Sequence, residues 1–157
     1  DKVMIERWNE RVDDRDRVYV LGDLAMNKRA MVKVLPHLKG RLVLIKGNHD
    51  ILKLKEYTPF FDDIRAYHVL DGMILSHIPI HPESLARFGA NIHGHLHHRR
   101  VMKDVGGLSH IWELDPRYHC VSVEHTGYAP ISFEAVKQRI LAEGGQVGFK
   151  ERGDAAL

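Results

Sequence analysis

The chain has little cysteine, almost no charge imbalance and no long apolar segment. Cys120 is the only cysteine, which excludes an internal disulfide and is consistent with a reducing compartment. No apolar run approaches the roughly 20 residues that span a bilayer, so we expect a soluble protein and place it in the cytoplasm. The 23 basic and 21 acidic residues nearly balance, so charge alone predicts no particular partner.

The length of 157 residues, of which 44% are hydrophobic, predicts one domain with a sizeable core. We find no repeat, linker or low-complexity stretch, so residues 1–157 are interpreted as a single domain. Residues 146–157 are polar, and we expect them to form a loose tail. The unusual feature of the composition is histidine, which occurs 12 times.

The first third of the chain has the pattern of an α/β protein. Apolar residues at helical spacing predict an amphipathic helix over residues 2–12 and a second helix from about Lys28, which ends at Gly40. Short apolar runs predict strands at 17–21 and 41–45. Because a helix connects these two strands, we expect them to pair in parallel.

An antiparallel hairpin is predicted in the middle of the chain. Two strand-like runs, 64–70 and 73–76, flank Asp71 and Gly72, a dipeptide typical of a two-residue hairpin turn. We expect this hairpin to join the same sheet as the first strands. Further strands are predicted at 90–93 and 118–123, and a further helix at 132–142.

Residues able to bind metal ions follow several of the predicted strands. They are Asp23, Asn48, His77, His95 and His97. Asp, Asn and His are ligand types for divalent transition metals, and the carboxyl ends of parallel strands meet at one edge of a sheet. Each residue alone has a structural alternative: Asp23 can cap a helix, Asn48 can form a turn, and His77 can be a hydrogen-bonded core histidine.

Residues 93–98 contain four histidines. In an extended backbone His93, His95 and His97 project to one face, where a bound cation would keep their rings neutral. A cluster of surface histidines is the alternative. His77 and His81 have the spacing of a zinc-protease helix, but Pro79 lies between them and no Glu follows His77, so we set a metalloprotease aside.

Four motifs together resemble the calcineurin-like metallophosphoesterase family, in its small bacterial and phage form. They are Gly22-Asp23, Gly47-Asn48-His49-Asp50, the lone His77, and Gly94-His95-Leu96-His97, in the order of the family pattern. The resemblance extends over nearly the whole chain. It implies a four-layer αββα sandwich of mixed sheets that holds a dinuclear centre of two divalent metal ions, with Mn, Fe, Zn or Ni as candidates.

The same resemblance implies a role for each motif residue. Asp23 would bridge the two metals, with the remaining ligands divided between the two positions. Asn48, His77 and His95 would complete one position, and His97 would contribute to the other. His49 would stabilise or protonate the leaving oxygen, and Asp50 would orient the His49 ring.

The first family motif, D-x-H, has no counterpart in residues 1–22. The second metal position therefore has only Asp23 and His97 as ligands, too few for a tight centre. We expect a few tens of upstream residues, including a first strand that carries this motif.

The expected function is hydrolysis of a phosphodiester or phosphomonoester by a hydroxide that bridges the two metals. The substrate class is a small phosphoester or a nucleotide; binding of nucleic acid is possible but not indicated, and no membrane partner is expected. Arg99, Arg100 and Lys103 could form a cationic rim, although a solvated surface explains them equally well. The alternative is a catalytically weak scaffold of the same fold that binds a protein partner. The oligomeric state is left open.

Overall fold

A computed structural model describes residues 2–25 and 27–150. The helices are α1 Lys2–Asn9, α2 Lys28–Val34, α3 Leu54–Tyr57, α4 Val123–Thr126 and α5 Phe133–Ala142. The strands are β1 Arg17–Val20, β2 Arg41–Ile45, β3 Asp63–Arg65, β4 Tyr67–Leu70, β5 Met73–Ser76, β6 Asn91–His93, β7 Met102–Asp104, β8 Trp112–Leu114 and β9 Tyr118–Cys120. Short 3-10 turns lie at Leu35–His37, Pro82–Leu85 and Gly107–Ser109.

The first sheet contains three parallel strands in the order β1-β2-β3. The predicted parallel pairing of the first two strands is confirmed, with Val20 opposite Leu44. Strand β2 is an apolar run because both of its faces are covered: Leu42 to Ile45 are all buried, and Leu44 and Ile45 are fully inaccessible to solvent.

The second sheet has the order β4-β5-β6-β9 and is mixed, since only β4 and β5 pair in antiparallel fashion. Asp71 and Gly72 both have positive φ, at 47° and 72°, as a two-residue hairpin turn of this twist requires. The predicted hairpin is confirmed, but it does not join the first sheet. Chain direction changes between Arg65 and Tyr67, so the hairpin begins a separate sheet.

Strand β1 connects the two cores because its alternate side chains point in opposite directions. Val20 packs in a cluster with Met31 of α2 and with Phe61. On the other face, Tyr19 and Leu21 pack against the second cluster, whose buried members are Met73, Leu75, Ala90, Ile92, Val136 and Ile140. The first sheet therefore has helix on one face and residues of the second sheet on the other.

A polar contact accompanies this packing. The Tyr19 ring stacks on His68 of β4 with centroids 4.9 Å apart, and its hydroxyl lies 3.1 Å from His68 Nε2. Each fully buried aliphatic side chain in these clusters contributes about 2 kcal/mol to folding by leaving water. The packing fixes the strand ends of the two sheets relative to each other.

Helix α5 matches the predicted helix closely. The Ser132 hydroxyl accepts a hydrogen bond from Ala135 N at 3.2 Å and caps the N-terminus, and Val136 and Ile140 are buried one turn apart. Helix α1 is shorter than the predicted 2–12 and has no buried residue. It is held by Trp8, whose indole N–H donates to Lys39 O at 2.9 Å.

The predicted strand 64–70 is divided into β3 and β4, which belong to different sheets, and the two-stranded ribbon of β7 and β8 was not predicted. Residues 146–150, expected to be part of a loose tail, are held in place: Phe149 forms an antiparallel bridge with Phe88, and Gly89 N donates to Gly148 O at 2.8 Å. The rest of the expected tail, 151–157, lies outside the described residues. Within the described part of the chain, no helix is long and apolar enough to cross a membrane.

Candidate metal centre

The predicted metal-binding residues follow strands in both sheets. Asp23 and Asn48 each lie three residues after a strand of the first sheet, β1 and β2. His77 follows β5 directly, and His95 lies two residues after β6. Strands β1 and β2 are parallel to each other, as are β5 and β6, so each pair of strands delivers its carboxyl ends to one edge.

Three of these side chains meet around the ring of a fourth, His77. Its Nε2 lies 2.8 Å from Asn48 Oδ1, 3.2 Å from Asp23 Oδ2 and 3.2 Å from His95 Nδ1. One ligand atom each from Asp23, His77 and His95 lies within 4.8 Å of the others. The structure therefore brings together the four residues that the sequence assigned to the bridging ligand and to the first metal position.

The hydrogen-bond geometry at His77 favours a cation. His77 Nδ1 lies 2.7 Å from the carbonyl oxygen of Leu21, so this nitrogen carries the proton and donates it. The Nε2 lone pair then faces the carboxylate of Asp23 and the amide oxygen of Asn48, which also accept hydrogen bonds. Acceptors that face one another repel, whereas a cation bound by all of them converts the repulsion into attraction.

The donor set also fits a first-row divalent cation in chemistry and spacing. Two imidazole nitrogens, one carboxylate and one amide oxygen form a mixed set that suits such ions. Ligand atoms about 2.1 Å from a tetrahedral cation lie roughly 3.4 Å apart. The observed separations of 2.8 to 3.2 Å around His77 Nε2 are slightly shorter than this edge.

Glycines permit the close approach of the two loops of the first sheet. A Cβ on Gly22, which has a φ of +82°, would lie 2.6 Å from both Gly47 N and His77 Nδ1. A Cβ on Gly47 would lie 2.3 Å from Asp23 Oδ1. Real Cβ atoms do not approach so closely, so both motifs need glycine to keep Asp23 beside His77.

Three of the six described non-glycine residues with positive φ lie in the loops that carry the predicted ligands. Asp23, His95 and His97 have φ values of 54°, 65° and 53°, in the left-handed region that non-glycine residues rarely adopt. Each such residue costs on the order of 1 kcal/mol and persists only where its surroundings hold it. The expected extended backbone through His95 and His97 is therefore wrong, because the strand ends at His93.

Asp50 connects the two loops. The residue is only 2% exposed, and its Oδ2 accepts hydrogen bonds from Asp23 N at 2.9 Å and Gly47 N at 2.8 Å. The sequence suggested that Asp50 orients the His49 ring, whereas the recorded contacts of its carboxylate are to the backbone of both loops. His49 itself is exposed, and its backbone N–H donates to Asp23 Oδ1 at 2.8 Å.

His97 does not join the group around His77. Its side chain is 73% exposed, and Nδ1 lies 2.9 Å from Glu124 Oε1. A backbone hydrogen bond within Glu124 and the contact with His97 lower the pKa of the Glu124 carboxyl group. Glu124 was not among the predicted site residues; its sequence signal is an acidic residue in the first turn of α4, directly after β9.

His93 and Arg100, two other residues considered from the sequence, bind to groups outside the cluster around His77. His93 is fully buried and donates from Nδ1 to Gly94 O at 2.9 Å. Burial, the main cause, lowers the pKa of His93 to about 4. Arg100, considered for a cationic rim, forms an ion pair with Glu143 instead.

Comparison with known proteins identifies relatives of undetermined function. No family model matches the chain. The uncharacterized protein MJ1445 of Methanocaldococcus jannaschii is 32% identical over 154 residues, which cover 93% of this chain and 77% of that protein. AQ665, a protein of unknown function from Aquifex aeolicus, has a crystal structure that matches this one with a TM-score of 0.64 and 25% sequence identity. The match covers 88% of this chain and 83% of the AQ665 chain. That likeness agrees with a mixed α/β fold of several sheets. By its identity and coverage, the chain belongs to the same protein family as MJ1445.

Proposed function

We propose that the protein is a metal-dependent phosphoester hydrolase of the calcineurin-like metallophosphoesterase type. The observation that carries this proposal is the convergence of the Asp23, Asn48 and His95 side chains on Nε2 of His77. The sequence motifs that supplied these residues resemble that family in order and in residue type. Carboxylate, amide and imidazole ligands at strand ends suit a reaction in which cations neutralise a phosphate.

The same proposal includes the four-layer αββα sandwich. The packing of β1 supports it, since Val20 contacts the helix side of the first sheet and Tyr19 contacts the second sheet. Helix α5 adds Val136 and Ile140 to the cluster that contains Met73 and Leu75. A sandwich of two sheets places both sets of carboxyl ends at one edge, which is the arrangement that the candidate centre needs.

We assign the first cation position to Asp23, Asn48, His77 and His95. In the proposal Asp23 is shared with a second position, to which His97 contributes, and the two ions are divalent, with Mn, Fe, Zn or Ni as candidates. Two such ions bind phosphate oxygens and lower the pKa of water. Asp50 keeps Asp23 in place by accepting from its backbone N–H, and Leu21 O keeps the His77 ring oriented.

His49 is the proposed proton donor to the leaving oxygen. Its backbone is tied to Asp23 Oδ1, while its side chain is exposed beside the centre. A His49→Ala variant should therefore reduce kcat by about 100-fold, within the usual range for a lost general acid, without changing metal affinity. Equal losses of kcat and of Mn²⁺ affinity would instead make His49 part of the metal-binding structure.

A scaffold without turnover is the second candidate. It is favoured by the pairing of His97 with Glu124, which leaves the second cation position with Asp23 alone among the described residues. Such a protein would bind one cation and use its surface to contact a protein partner. Metal stoichiometry and turnover separate the two candidates.

The test uses the full-length gene product with each candidate metal. We expect Mn²⁺ binding by calorimetry and release of nitrophenol from 4-nitrophenyl phosphate or bis(4-nitrophenyl) phosphate. Asp23→Asn should lower kcat/KM by more than about 100-fold. The matched control is Asp104→Asn, which removes a carboxylate paired with exposed His110 and should leave kcat/KM unchanged. Metal binding without turnover on either substrate would favour the scaffold.

A further inference from the structure

An open groove extends from the candidate centre across the second sheet. Its volume is about 1130 Å³, and Asn48 and His77 form part of its lining. Beyond them it is lined by the hairpin and by the segment after β5, including Val69, Ile74 and Ile80. We call this the site groove. It is larger than most pockets for small molecules, so it exceeds what a phosphate alone needs.

The walls of the site groove are mainly apolar. Leu54, Tyr67 and Ile78 all contribute, and their exposed fractions are 58%, 59% and 52%. Large hydrophobic side chains that stay in water are a favourable surface for an apolar ligand, since contact removes both surfaces from water. Ile78 is the residue directly after His77, so this surface begins at the centre itself.

The polar groups of the site groove indicate an anion rather than a sugar. Its lining includes Lys46, Arg65 and Arg87, and no acidic residue among those described. The Ser76 hydroxyl donates to Ile78 O at 2.6 Å and accepts from Asn91 Nδ2 at 2.8 Å, so it has little capacity to bind ligand hydroxyls. Arg65 is paired with Asp63, whose Oδ2 lies 2.6 Å from Arg65 Nε, so the positive charge that complements a phosphate comes from Lys46 and Arg87. The walls complement a hydrocarbon.

We propose that the site groove binds the non-reacting substituent of a phosphodiester, and that this substituent is a large, apolar aromatic group. The inference rests on the proposed hydrolase function, because the phosphate must lie at the centre for the substituent to follow the groove. Tyr67 and Phe88 supply aromatic faces along the way. The Arg87 guanidinium lies 5.5 Å from the centre of the Phe88 ring and 5.5 Å from that of the Phe149 ring. It places a cation beside the aromatic part of the groove.

The kinetic test keeps the leaving group constant and varies the other ester. The substrates are methyl 4-nitrophenyl phosphate and 1-naphthyl 4-nitrophenyl phosphate, with the Mn²⁺-loaded full-length protein. We expect kcat/KM to be at least about tenfold higher for the naphthyl ester, through a lower KM, because the naphthyl group buries apolar area in the groove. Ile78→Ser should reduce this preference at least about threefold.

The matched control is Leu108→Ser, which makes the same kind of change at a fully exposed leucine outside the groove. It should keep the preference for the naphthyl ester. A preference lost equally in both variants would overturn the assignment of the groove, as would equal kcat/KM for the two esters in the unmodified protein.

A binding measurement separates this inference from the proposed function. Calorimetry with 1-naphthylmethylphosphonate and methylphosphonate, neither of which is hydrolysed, should show at least about tenfold tighter binding of the naphthyl compound. If no ester is hydrolysed but this preference is found, the hydrolase proposal fails and the groove is supported. Equal binding of the two phosphonates overturns the groove. Sedimentation that shows a dimer dissociated by Ile78→Ser also overturns it, because a second copy would then occupy the surface.

Discussion

Two pairs of histidines lie in or beside the second sheet, and they differ in what their nitrogens face. His93 and His119 are at most 1% exposed, and each has one ring nitrogen 2.9 Å from a backbone carbonyl, of Gly94 and of Pro116. His77 and His95 lie with their nitrogens 3.2 Å apart, beside the carboxylate of Asp23. The first pair belongs to the core, whereas the second has the geometry of a cation site.

The difference shows that burial alone does not single out the proposed metal ligands. His77 is 5% exposed and so almost as buried as the core pair. What distinguishes it is the number of groups around one nitrogen: His77 Nε2 faces an amide oxygen, a carboxylate and a second imidazole, at an edge where Asp23 and His95 adopt strained backbone conformations. The second ring nitrogen of His119 faces only the Glu143 carboxylate, 3.1 Å away. In both core histidines one ring nitrogen contacts a backbone carbonyl, and burial lowers the pKa of the ring.

The largest effect that would test this comparison is expected from His77→Ala. Loss of one of four donor atoms should weaken Mn²⁺ binding by more than about 100-fold, beyond the loss typical of residues that only orient a ligand. The control is His119→Gln, which changes a core histidine and should keep metal affinity while lowering stability. Calorimetric titration measures both. Equal affinity in the two variants would remove the distinction between the pairs.

A large effect is also expected from Gly47→Ala. The added Cβ would lie 2.3 Å from Asp23 Oδ1, so the loops must separate and metal affinity should fall at least about tenfold. Gly144→Ala is the control: nothing lies within 4 Å of the Cβ position of Gly144, so only its positive φ of +79° opposes the change. That variant should lose about 1 kcal/mol of stability and no metal affinity. Thermal unfolding with and without Mn²⁺ tests both expectations.

Because His93 and His119 are buried, we expect the metal-free protein to lose stability in acid. Burial lowers the pKa of His93 to about 4 and also lowers that of His119. An unfolded histidine has a pKa of about 6.5, so below that pH the unfolded chain binds more protons than the folded one. The free energy of unfolding should therefore fall from about pH 6.5 towards pH 4, with His93 accounting for about 3 kcal/mol over the whole range.

Urea unfolding at pH 7 and pH 5 in the presence of EDTA measures this dependence. The His93→Gln variant should show a smaller decrease between the two values, because glutamine does not titrate. An unchanged decrease in that variant would mean that other groups produce the acid sensitivity.

The smallest effect is expected from His97→Ala. Because His97 pairs with Glu124 away from the group around His77, affinity for the first equivalent of Mn²⁺ should change by less than about threefold, as for a loss worth well under 1 kcal/mol. Calorimetry resolves the first binding event. A loss of affinity above about tenfold would place His97 in the first cation position, together with His95.

Local patterns predicted much of the fold. Asp71 and Gly72 predicted the hairpin because few dipeptides tolerate positive φ at both positions. The apolar run 41–45 predicted β2 with its observed first and last residues. The division of the predicted strand 64–70 into β3 and β4 was missed because the three residues of β3, two of them charged, carry no apolar pattern of their own. The hairpin was placed in the wrong sheet because sheet membership depends on contacts between distant residues.

The candidate site was predicted in the same uneven way. Motif order placed Asp23, Asn48, His77 and His95 among the ligands, and these four do converge. The contact between His97 and Glu124 joins residues 27 positions apart, and nothing in the spacing of either indicates it. The site groove likewise combines residues from several distant segments, so its apolar walls could not be recognised along the chain.

The sequence by itself determined most of the elements and the chemical types of the site, because turn glycines, apolar periodicity and ligand residues are local properties. The tertiary structure alone decided which lone pairs face each other. Packing of Tyr19 and Leu21 against the second cluster sets the two sheet edges together, and Asp50 ties the loops of Asp23 and Gly47. A histidine becomes a ligand or a core residue according to the atoms that this packing places opposite its second nitrogen.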